Sequence, residues 1–413
     1  MSSPHVLIIG GGIGGLALAQ GLRKNSIPFT LFERDPSPST RAQGYRIRIA
    51  DIGAKGLHYC LDDELWSLYQ RTCAESKGMG VRMNAIDGST QPMFGPGGGP
   101  RGMRGGGSGG PPIEDPRWQG KADRTMLRAL LLLGIEENVK FGKTFTKYEV
   151  TDSGVTAFFS DGTSESGTLL VGAEGVTSAV RKQLLPHHRY MDTGARMLYG
   201  KTPITPELEA RFAPAAMKGG ITVIQDSSPL TLFLEPIRFP NNAAIESQRR
   251  IPKTEDYMYW VLSGSANTVG LSDSEMYSLT GKEAADWTMK LTEKWLPSFR
   301  GLLELQNPSQ CAPLRLISAK PERPEWKPSA RVTLLGDAIH AMMPAGGSGA
   351  KCALADAALL LKLIVDEGVS EEMMGKYIDG LWEYSLPAIK SSAVAAQGLI
   401  GFEGWETAKE VDI

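Results

Sequence analysis

A glycine cluster near the start of the chain is the first group of residues that could do chemistry. Residues 10–15 read GGGIGG and lie between an apolar run and a stretch with apolar residues at helical spacing. In this pattern Gly10 permits a tight turn, Gly12 lets the backbone approach a pyrophosphate, and Gly15 lets the helix pack close to the strand. The cluster therefore predicts a dinucleotide site. The alternative is a glycine-rich structural turn.

An acidic residue completes this pattern. Glu33 ends the second predicted strand, where a carboxylate accepts hydrogen bonds from an adenosine ribose. Because Glu33 disfavours a 2′-phosphate, the site suits FAD or NAD rather than NADP. The free N–H groups at the start of the helix favour negative charge, so Ile13 and Gly14 are assigned to the phosphates. Arg34 is assigned to the same binding surface.

Two later segments add to this site. Residues 332–340 read VTLLGDAIH, a strand followed by a turn, and residues 343–351 read MPAGGSGAK, a loop that opens a helix. A third segment, residues 171–181, reads VGAEGVTSAVR. Taken together, and in the order in which they occur along the chain, the segments resemble the class A flavoprotein monooxygenases, the para-hydroxybenzoate hydroxylase-like family. The resemblance covers the first 50 residues, the stretch 123–181 and residues 331–361.

The resemblance implies FAD as the cofactor and assigns roles to particular residues. Asp337 is expected to hold the ribityl chain, and the loop from Pro344 through Gly347 and Gly349 to Ala350 is expected to lie beneath the isoalloxazine ring. Amides at a helix N-terminus favour the negative charge that flavin reduction creates.

Four further residues are assigned to the cofactor through the resemblance. Glu174 stands where the family usually has aspartate, so its exact contact is open. Arg124 matches the arginine at a helix start, and Gly44 and Arg46 lie in the segment that passes the flavin. The alternative for each arginine is a surface position.

The family's chemistry predicts an FAD-dependent monooxygenase that uses NADPH or NADH and O₂ on an organic small molecule. Hydroxylation, epoxidation and Baeyer–Villiger insertion all fit, in secondary metabolism or aromatic catabolism. The cofactor performs the redox step, so no catalytic residue is assigned. The alternatives are a flavin dehydrogenase or reductase, a halogenase-like enzyme (although no WxWxIP segment is present), and a binding protein without activity.

The substrate wall is assigned to strand-like segments in the middle of the chain. Residues 257–262 read YMYWVL, which would send Met258, Trp260 and Leu262 to one face. Phe233 would supply a neighbouring wall, and such a pocket suits an aromatic or apolar polycyclic substrate. The alternative is a packed core strand.

Composition limits the other partners. Apolar residues make up 41% and charged residues 22% of the 413-residue chain, and the net charge is -2. This balance gives no global attraction to nucleic acid or to an anionic membrane, and no apolar run is long enough for a membrane span. The four cysteines and five histidines lack metal-ligand spacing. The scattered cysteines favour a reducing, cytoplasmic compartment. The oligomeric state is left open.

These residues require an α/β fold with a discontinuous Rossmann-like FAD-binding domain, an inserted β-rich substrate domain and C-terminal helices. Helices are predicted over Ile49–Tyr69 and Asp123–Leu133, and a single helix is predicted near Gly281–Leu296 in the largely antiparallel middle. The glycine-rich stretch Gly95–Pro112 is predicted to be a mobile lid or an insertion without function. The FAD-binding segments are 1–78, 113–187 and 320–413. The substrate-side segments are 79–112 and 188–319.

Overall fold

The computed structural model describes residues 4–38, 45–75, 80–92, 119–218, 220–227 and 230–413. Gly44 and the stretch Gly95–Pro112, which carry two of the predictions above, lie outside these ranges. No helix within them combines the length and apolar character needed to cross a bilayer. The same ranges contain no group of three His, Cys, Asp or Glu side chains placed to hold a metal ion.

Strands and helices alternate in the first half of the chain, and two long helices dominate its end. The strands are β1 (Val6–Ile9), β2 (Phe29–Glu33), β3 (Arg46–Ala50), β4 (Val81–Asn84), β5 (Thr90–Pro92), β6 (Gln119–Asp123), β7 (Val139–Phe141), β8 (Phe145–Val150), β9 (Val155–Phe159), β10 (Ser164–Gly167), β11 (Leu169–Gly172), β12 (Tyr190–Pro203), β13 (Thr222–Gln225), β14 (Thr231–Ile237), β15 (Tyr257–Ser265), β16 (Ala312–Ala319), β17 (Val332–Leu334) and β18 (Lys409–Val411). The helices are α1 (Ile13–Lys24), α2 (Ile52–Cys60), α3 (Asp63–Thr72), α4 (Arg124–Leu132), α5 (Ala179–Leu184), α6 (Pro206–Arg211), α7 (Pro214–Met217), α8 (Ala243–Glu246), α9 (Ala266–Val269), α10 (Asp273–Ser278), α11 (Gly281–Leu291), α12 (Pro297–Glu304), α13 (Asp337–His340), α14 (Gly349–Glu367) and α15 (Glu371–Leu399).

A five-stranded parallel sheet carries the residues predicted to bind the dinucleotide. Its strand order is β17-β11-β1-β2-β7, and every pairing in it is parallel. All four residues of β1 are buried, because helices cover both faces of such a sheet. The carboxyl ends of β17, β11 and β1 are therefore neighbours at one edge of the sheet, where ligands bind in doubly wound folds.

A second, eight-stranded sheet has the order β16-β12-β15-β14-β13-β4-β5, with β18 paired to β12. All of its pairings are antiparallel except that of β4 with β13. The two faces of this sheet belong to different apolar clusters. Trp260 and Phe299 lie in one cluster, while Val261 and Ala396 of α15 lie in the other.

Two smaller sheets complete the fold. Strands β10, β9 and β8 form an antiparallel meander, and β3 pairs with β6 in a two-stranded ribbon. The ribbon delivers the chain to α4, whose first turn is capped by Asp123 as predicted. The Asp123 carboxylate accepts hydrogen bonds from the N–H groups of Thr125 at 2.9 Å and Met126 at 3.1 Å.

The structure corrects two predictions about elements. The single helix over Ile49–Tyr69 is wrong, because β3 ends at Ala50 and the remainder forms α2 and α3, with Asp62 capping α3. The single helix expected near Gly281–Leu296 exists as α11, but helices α6 to α12 all lie in the same middle segment. The predicted C-terminal helices are confirmed as α14 and α15, and the short strand β18 follows them.

Candidate functional site

Four glycines of the 10–15 cluster differ in the atoms that surround them. Gly10 has φ +111°, and a Cβ there would lie 2.4 Å from the Ala173 carbonyl oxygen. A Cβ at Gly15 would lie 2.2 Å from the Gly10 oxygen, and one at Gly14 would lie 2.7 Å from a methyl carbon of Leu335. These three glycines are required by backbone geometry and packing.

Gly12 differs from its neighbours because the space beside it is open. A Cβ at Gly12 would meet no atom closer than the Ala173 carbonyl oxygen at 3.9 Å. Gly12 immediately precedes Ile13, the first residue of α1, so this space lies at the N–H groups that begin the helix. The fold itself does not need a glycine here, whereas a phosphate lying against the backbone would.

Glu33 lies at the end of β2 and supports the glycine turn. Its Oε2 accepts a hydrogen bond from the Gly11 N–H at 2.8 Å, and its Oε1 accepts one from the Asp35 N–H at 2.9 Å. The predicted contact with a ribose would use the remaining acceptor capacity of this carboxylate. Arg34 points outward and donates to the Thr177 hydroxyl at 3.3 Å.

Arg128 is a residue that the sequence reasoning missed. Its Nε donates to the Gly11 carbonyl oxygen at 2.8 Å, and its Nη2 lies 3.4 Å from Glu33 Oε2. The side chain thus ties α4 to the glycine turn. A signal was present, since Arg128 follows Arg124 by four residues and so shares its helix face.

The turn after β17 is held by a buried carboxylate that was also missed. Asp356 of α14 accepts hydrogen bonds from the Gly336 N–H, from His340 Nε2 and from the Tyr384 hydroxyl, each at 2.7 Å. Burial by itself lowers the pKa of His340, but attraction to Asp356 outweighs it, so the pKa lies above its ordinary value. Asp356 stands alone in the apolar sequence of α14, and a lone buried acid requires such partners.

Asp337 itself faces the opening between the two glycine segments. Its side chain reaches solvent although protein encloses it on most sides, and this enclosure raises its pKa. A Cβ at Gly349 would lie 3.7 Å from Asp337 Oδ1. Gly347 has φ +58° and open space where its Cβ would be, and Pro344 is exposed beside it. Gly349 and Ala350 then begin α14.

We refer to these positions together as the cofactor cleft, because their chemistry suits FAD. Open backbone at Gly12 can take the pyrophosphate, and open backbone at Gly347 can take a flat ring. Asp337 lies at the carboxyl end of β17, so it stands at the same sheet edge as the start of α1 and can accept hydrogen bonds from a polyol chain. The start of α14 adds N–H groups that favour negative charge at the ring.

Glu174 is placed differently from the other predicted cofactor residues. Its Oε2 accepts a hydrogen bond from the Ser178 hydroxyl at 2.6 Å, and its Oε1 accepts one from the Val180 N–H at 3.1 Å. Burial raises its pKa, while these hydrogen bonds act in the opposite direction. In this structure Glu174 therefore caps the turn before α5. Its contact with a cofactor stays a prediction.

The two predicted arginines lie beside the ribbon. The Arg124 guanidinium is 5.5 Å from the centre of the Tyr45 ring. Arg46 forms an ion pair with Glu235 of β14, and Lys121 pairs with the other oxygen of Glu235 at 2.5 Å. Because Glu235 is buried, this pairing anchors the ribbon to the eight-stranded sheet.

A second ion pair reinforces that junction. Lys201 lies 2.5 Å from Asp123 Oδ2, which also accepts a hydrogen bond from the Tyr257 hydroxyl at 3.0 Å. The acid that caps α4 is therefore also a partner of two strands of the eight-stranded sheet. The junction sets the cofactor side and the sheet face at a fixed relative position.

The proposed substrate wall is divided between the two faces of the eight-stranded sheet. Met258 and Trp260 are fully buried in the cluster on the helix-covered face, and Trp260 Nε1 donates to the Thr202 hydroxyl at 3.1 Å. For these two residues the structure shows the packed core strand that was the alternative. Phe233 is half-buried on the opposite face, where its ring centre lies 6.2 Å from that of Tyr259.

The face that carries Phe233 also meets the loop at Gly347. Met343 and Ala345 belong to the same apolar cluster as Val261 and Phe233, and Tyr199 is a partly buried member. Burial raises the pKa of Tyr199 to about 12, so its hydroxyl stays protonated at neutral pH. An apolar, partly open surface thus adjoins the position that fits a flat ring.

Comparison with known proteins identifies relatives of this chain. A family described as the NAD(P)-binding Rossmann-like domain matches residues 8–72. The dual O-methyltransferase/FAD-dependent monooxygenase elcB of Phaeosphaeria nodorum is 40% identical over 396 residues, which cover 89% of this chain and 41% of that relative. The FAD-dependent monooxygenase thnD of Trichoderma harzianum is 29% identical and covers 87% of this chain and 82% of that relative.

Solved structures give the same result for the fold. A structure described as a candidate FAD-containing monooxygenase from Photorhabdus luminescens has a TM-score of 0.76 at 29% identity, covering 95% of this chain and 98% of that one. The 2,6-dihydroxypyridine-3-hydroxylase of Arthrobacter nicotinovorans has a TM-score of 0.71 at 17% identity, covering 98% and 96%. The latter likeness concerns the fold alone.

The fold and the cleft define a Rossmann-like dinucleotide-binding protein of the α/β class. The comparisons confirm the resemblance seen in the motifs, because this chain is similar to proteins named as FAD-dependent monooxygenases. It spans about two fifths of the length of the dual-function relatives that it matches at 37% identity or more.

Proposed function

We propose that this chain is an FAD-dependent monooxygenase that uses NADPH or NADH and O₂ to insert one oxygen atom into an aromatic or apolar polycyclic small molecule. The observation that carries the proposal is the open backbone at Gly12 and Gly347 together with the exposed Asp337, near a sheet face on which Phe233 is half-buried. Monooxygenase relatives that match across most of the chain support it. The secondary metabolism of such relatives is the proposed setting.

The residue roles follow from this placement. Gly12, Ile13 and Gly14 hold the pyrophosphate at the start of α1, and Glu33 and Arg34 flank the adenosine end. Asp337 holds the ribityl chain, and Gly347 to Ala350 support the ring. When bound, FAD supplies the electron transfer and the activation of oxygen. The protein's own contribution is to orient the substrate and to exclude water from it.

The junction around Glu235 supports a second part of the proposal. Arg46, Lys121 and Lys201 converge there on two acids, Glu235 and Asp123, so the ribbon is rigidly attached to the substrate sheet. A fixed ribbon keeps the Arg124 side chain beside the cofactor cleft. Positioning of this kind lowers the activation free energy of the reaction without an acid–base residue. No catalytic side chain is assigned.

The domain division is part of the same proposal. Segments 1–78, 113–187 and 320–413 supply every strand of the parallel sheet, which supports their assignment to the FAD-binding domain. Segments 79–112 and 188–319 supply every strand of the eight-stranded sheet except β18. A cytoplasmic location is proposed on separate grounds, since all four cysteines are free.

The alternative activities of a dehydrogenase, reductase or halogenase are less well supported. The relatives that match over most of the chain are named as monooxygenases. No nucleic-acid partner is proposed.

A two-stage experiment tests the proposed function. The purified chain is first reconstituted with FAD, and retained flavin absorbance is compared between the wild type and Asp337→Ala. The loaded protein is then mixed with NADPH or NADH and a panel of phenolic polycyclic compounds. We expect retained flavin, weaker retention in Asp337→Ala, and substrate-stimulated NAD(P)H oxidation. Failure to retain FAD would contradict the cofactor assignment, and retention without stimulated oxidation by any compound would contradict the activity.

A further inference from the structure

A continuous row of side chains crosses the eight-stranded sheet on the face that meets the Gly347 loop. Direct pairing links Tyr199 to Val261, Val261 to Phe233, Phe233 to Val223, and Val223 to Arg82. Residues that are directly paired in neighbouring strands project to the same face. The row therefore runs from an aromatic residue on β12 to a cation on β4, and the ladder continues from Arg82 to Gln91 of β5.

The cluster membership of neighbouring residues confirms which face the row occupies. Val223 and Val261 are buried in the cluster that includes Met343, at the start of the Pro344 turn. Met83 and Ile224, the next residues along β4 and β13, belong to the opposite cluster beneath the helices. Because successive residues of a strand alternate faces, Arg82 shares the face of Val223.

Arg82 has no partner on this face. Among the residues that the structure describes, the Arg82 side chain has neither a hydrogen bond nor an ion pair, and its Nε is fully buried. Other arginines of this sheet are satisfied, since Arg196 contacts both Asp192 and Asp273, and Arg315 contacts both as well. A half-buried guanidinium without an acceptor is unfavourable, because it stays charged at every physiological pH.

The spacing of the row fits a ligand of defined size. Phe233 lies two strands from Arg82, which is roughly 10 Å at ~4.8 Å per strand. An aromatic ring packed against the half-buried Phe233 would bring a substituent toward the long Arg82 side chain. The guanidinium fork matches two oxygens of one acidic group.

We propose that Arg82 is a specificity residue that binds an anionic oxygen group, a carboxylate or an ionised phenol, on the aromatic substrate. The inference rests on the proposed function, because it takes this face of the sheet as the substrate wall. It narrows the substrate class to acidic aromatic compounds, whose charge replaces the acceptor that Arg82 lacks within the protein.

The test measures binding rather than turnover. The FAD-loaded full chain is titrated, without NAD(P)H, with 3-hydroxy-2-naphthoic acid and with its uncharged methyl ester, and binding is followed by calorimetry and flavin fluorescence. Wild type is compared with Arg82→Met, which removes the charge at similar length, and with Arg82→Lys, which keeps the charge. Arg238→Met is the matched control, because Arg238 pairs with Glu209 and Asp256 on the surface.

We expect the wild type and Arg238→Met to bind the acid about 10- to 100-fold more tightly than the ester, the range of one charge-assisted contact. Arg82→Met should lose this preference and keep its affinity for the ester, and Arg82→Lys should keep part of the preference. Equal binding of the two compounds by the wild type, absent binding of the acid, or an unchanged preference in Arg82→Met would overturn the proposal. Because no reductant is present, this outcome is separate from a failure of monooxygenase activity.

Discussion

In the glycine cluster, Gly10, Gly14 and Gly15 build the turn, whereas Gly12 has open space beside its backbone. Gly10, Gly14 and Gly15 are each surrounded by atoms that a Cβ would strike. The sequence pattern predicted the turn because its requirements are local. It could not separate the packing role of Gly14 from the open space at Gly12, since Leu335, which contacts Gly14, lies more than 300 residues away in the chain.

A matched pair of substitutions tests this division. Gly12→Ala should leave the apoprotein as stable as the wild type, because its Cβ meets nothing closer than 3.9 Å, and should weaken FAD binding by about tenfold or more. Gly15→Ala should instead lower the melting temperature, because its Cβ would lie 2.2 Å from a carbonyl oxygen. Thermal unfolding of apoprotein and FAD titration measure the two effects. Normal FAD affinity in a folded Gly12→Ala protein would contradict the placement of the pyrophosphate.

Residues remote in sequence were the ones that the sequence analysis missed. Arg128 reaches Gly11 across 117 positions, and Asp356 reaches Gly336 across 20. Both carry ordinary side chains whose partners are defined only once α4 and α14 pack against the parallel sheet. Arg124 and Asp337, by contrast, lie inside motifs and could be singled out from their immediate neighbours.

Helices and strands were predicted well where their sequence patterns were local. They were predicted less well where burial decided which face of an element is covered. Strand β15 shows the limit clearly. Its alternation was read correctly, but a period of two defines two faces and does not say which one is covered by helices. Met258 and Trp260 belong to one cluster, so Tyr259 and Val261 project to the opposite face, where α15 packs and Phe233 is half-buried.

Substitutions of Trp260 in β15 and of Phe233 in β14 should therefore have different effects. Trp260→Phe should lower stability by about 1–3 kcal/mol, because it leaves a void and removes the buried hydrogen bond from the indole N–H to Thr202, with little effect on ligand affinity. Phe233→Ala should change the affinity for aromatic ligands, because the Phe233 side chain is only half-buried on the opposite face of the sheet. Chemical denaturation and ligand titration of both variants check this. A loss of ligand affinity confined to Trp260→Phe would restore the original assignment.

The joint between α13 and α14 should make stability depend on pH. The pKa of His340 in the folded state is raised above its ordinary value of 6.5. The stabilisation by protonated His340 is then complete below pH 6.5 and is lost as the pH rises through the folded-state pKa. His340→Gln should thus be most destabilising in mildly acidic buffer and less so in alkaline buffer.

Urea unfolding of wild type and His340→Gln across this pH range measures the difference. Besides Asp356, the groups that act on His340 include Asp337, and both proteins retain these acids. Tyr384→Phe is a suitable control, because it removes a neutral hydrogen bond to Asp356 and leaves His340 in place. A stability difference that is constant with pH, or that grows in alkaline buffer, would contradict a raised pKa.

At the scale of the whole molecule, two sheets meet through a charged junction beside the cofactor cleft. The parallel sheet supplies the open backbone and Asp337, the eight-stranded sheet supplies the half-buried aromatic face, and Glu235 and Asp123 fasten the ribbon between them. The fold class was predictable, because its motifs are local and ordered along the chain. The junction was not, because its acids and bases come from four distant segments.

The most direct test of the central claim follows the oxygen atom. The FAD-loaded protein, NADPH and an acidic aromatic compound that stimulates NADPH oxidation are incubated under isotopically labelled O₂, and the products are analysed by mass spectrometry. The proposed monooxygenase activity predicts a product that carries one labelled oxygen atom per NADPH consumed in the coupled reaction. NADPH oxidation that yields only hydrogen peroxide, or a product free of label, would show that the chain reduces flavin without transferring oxygen.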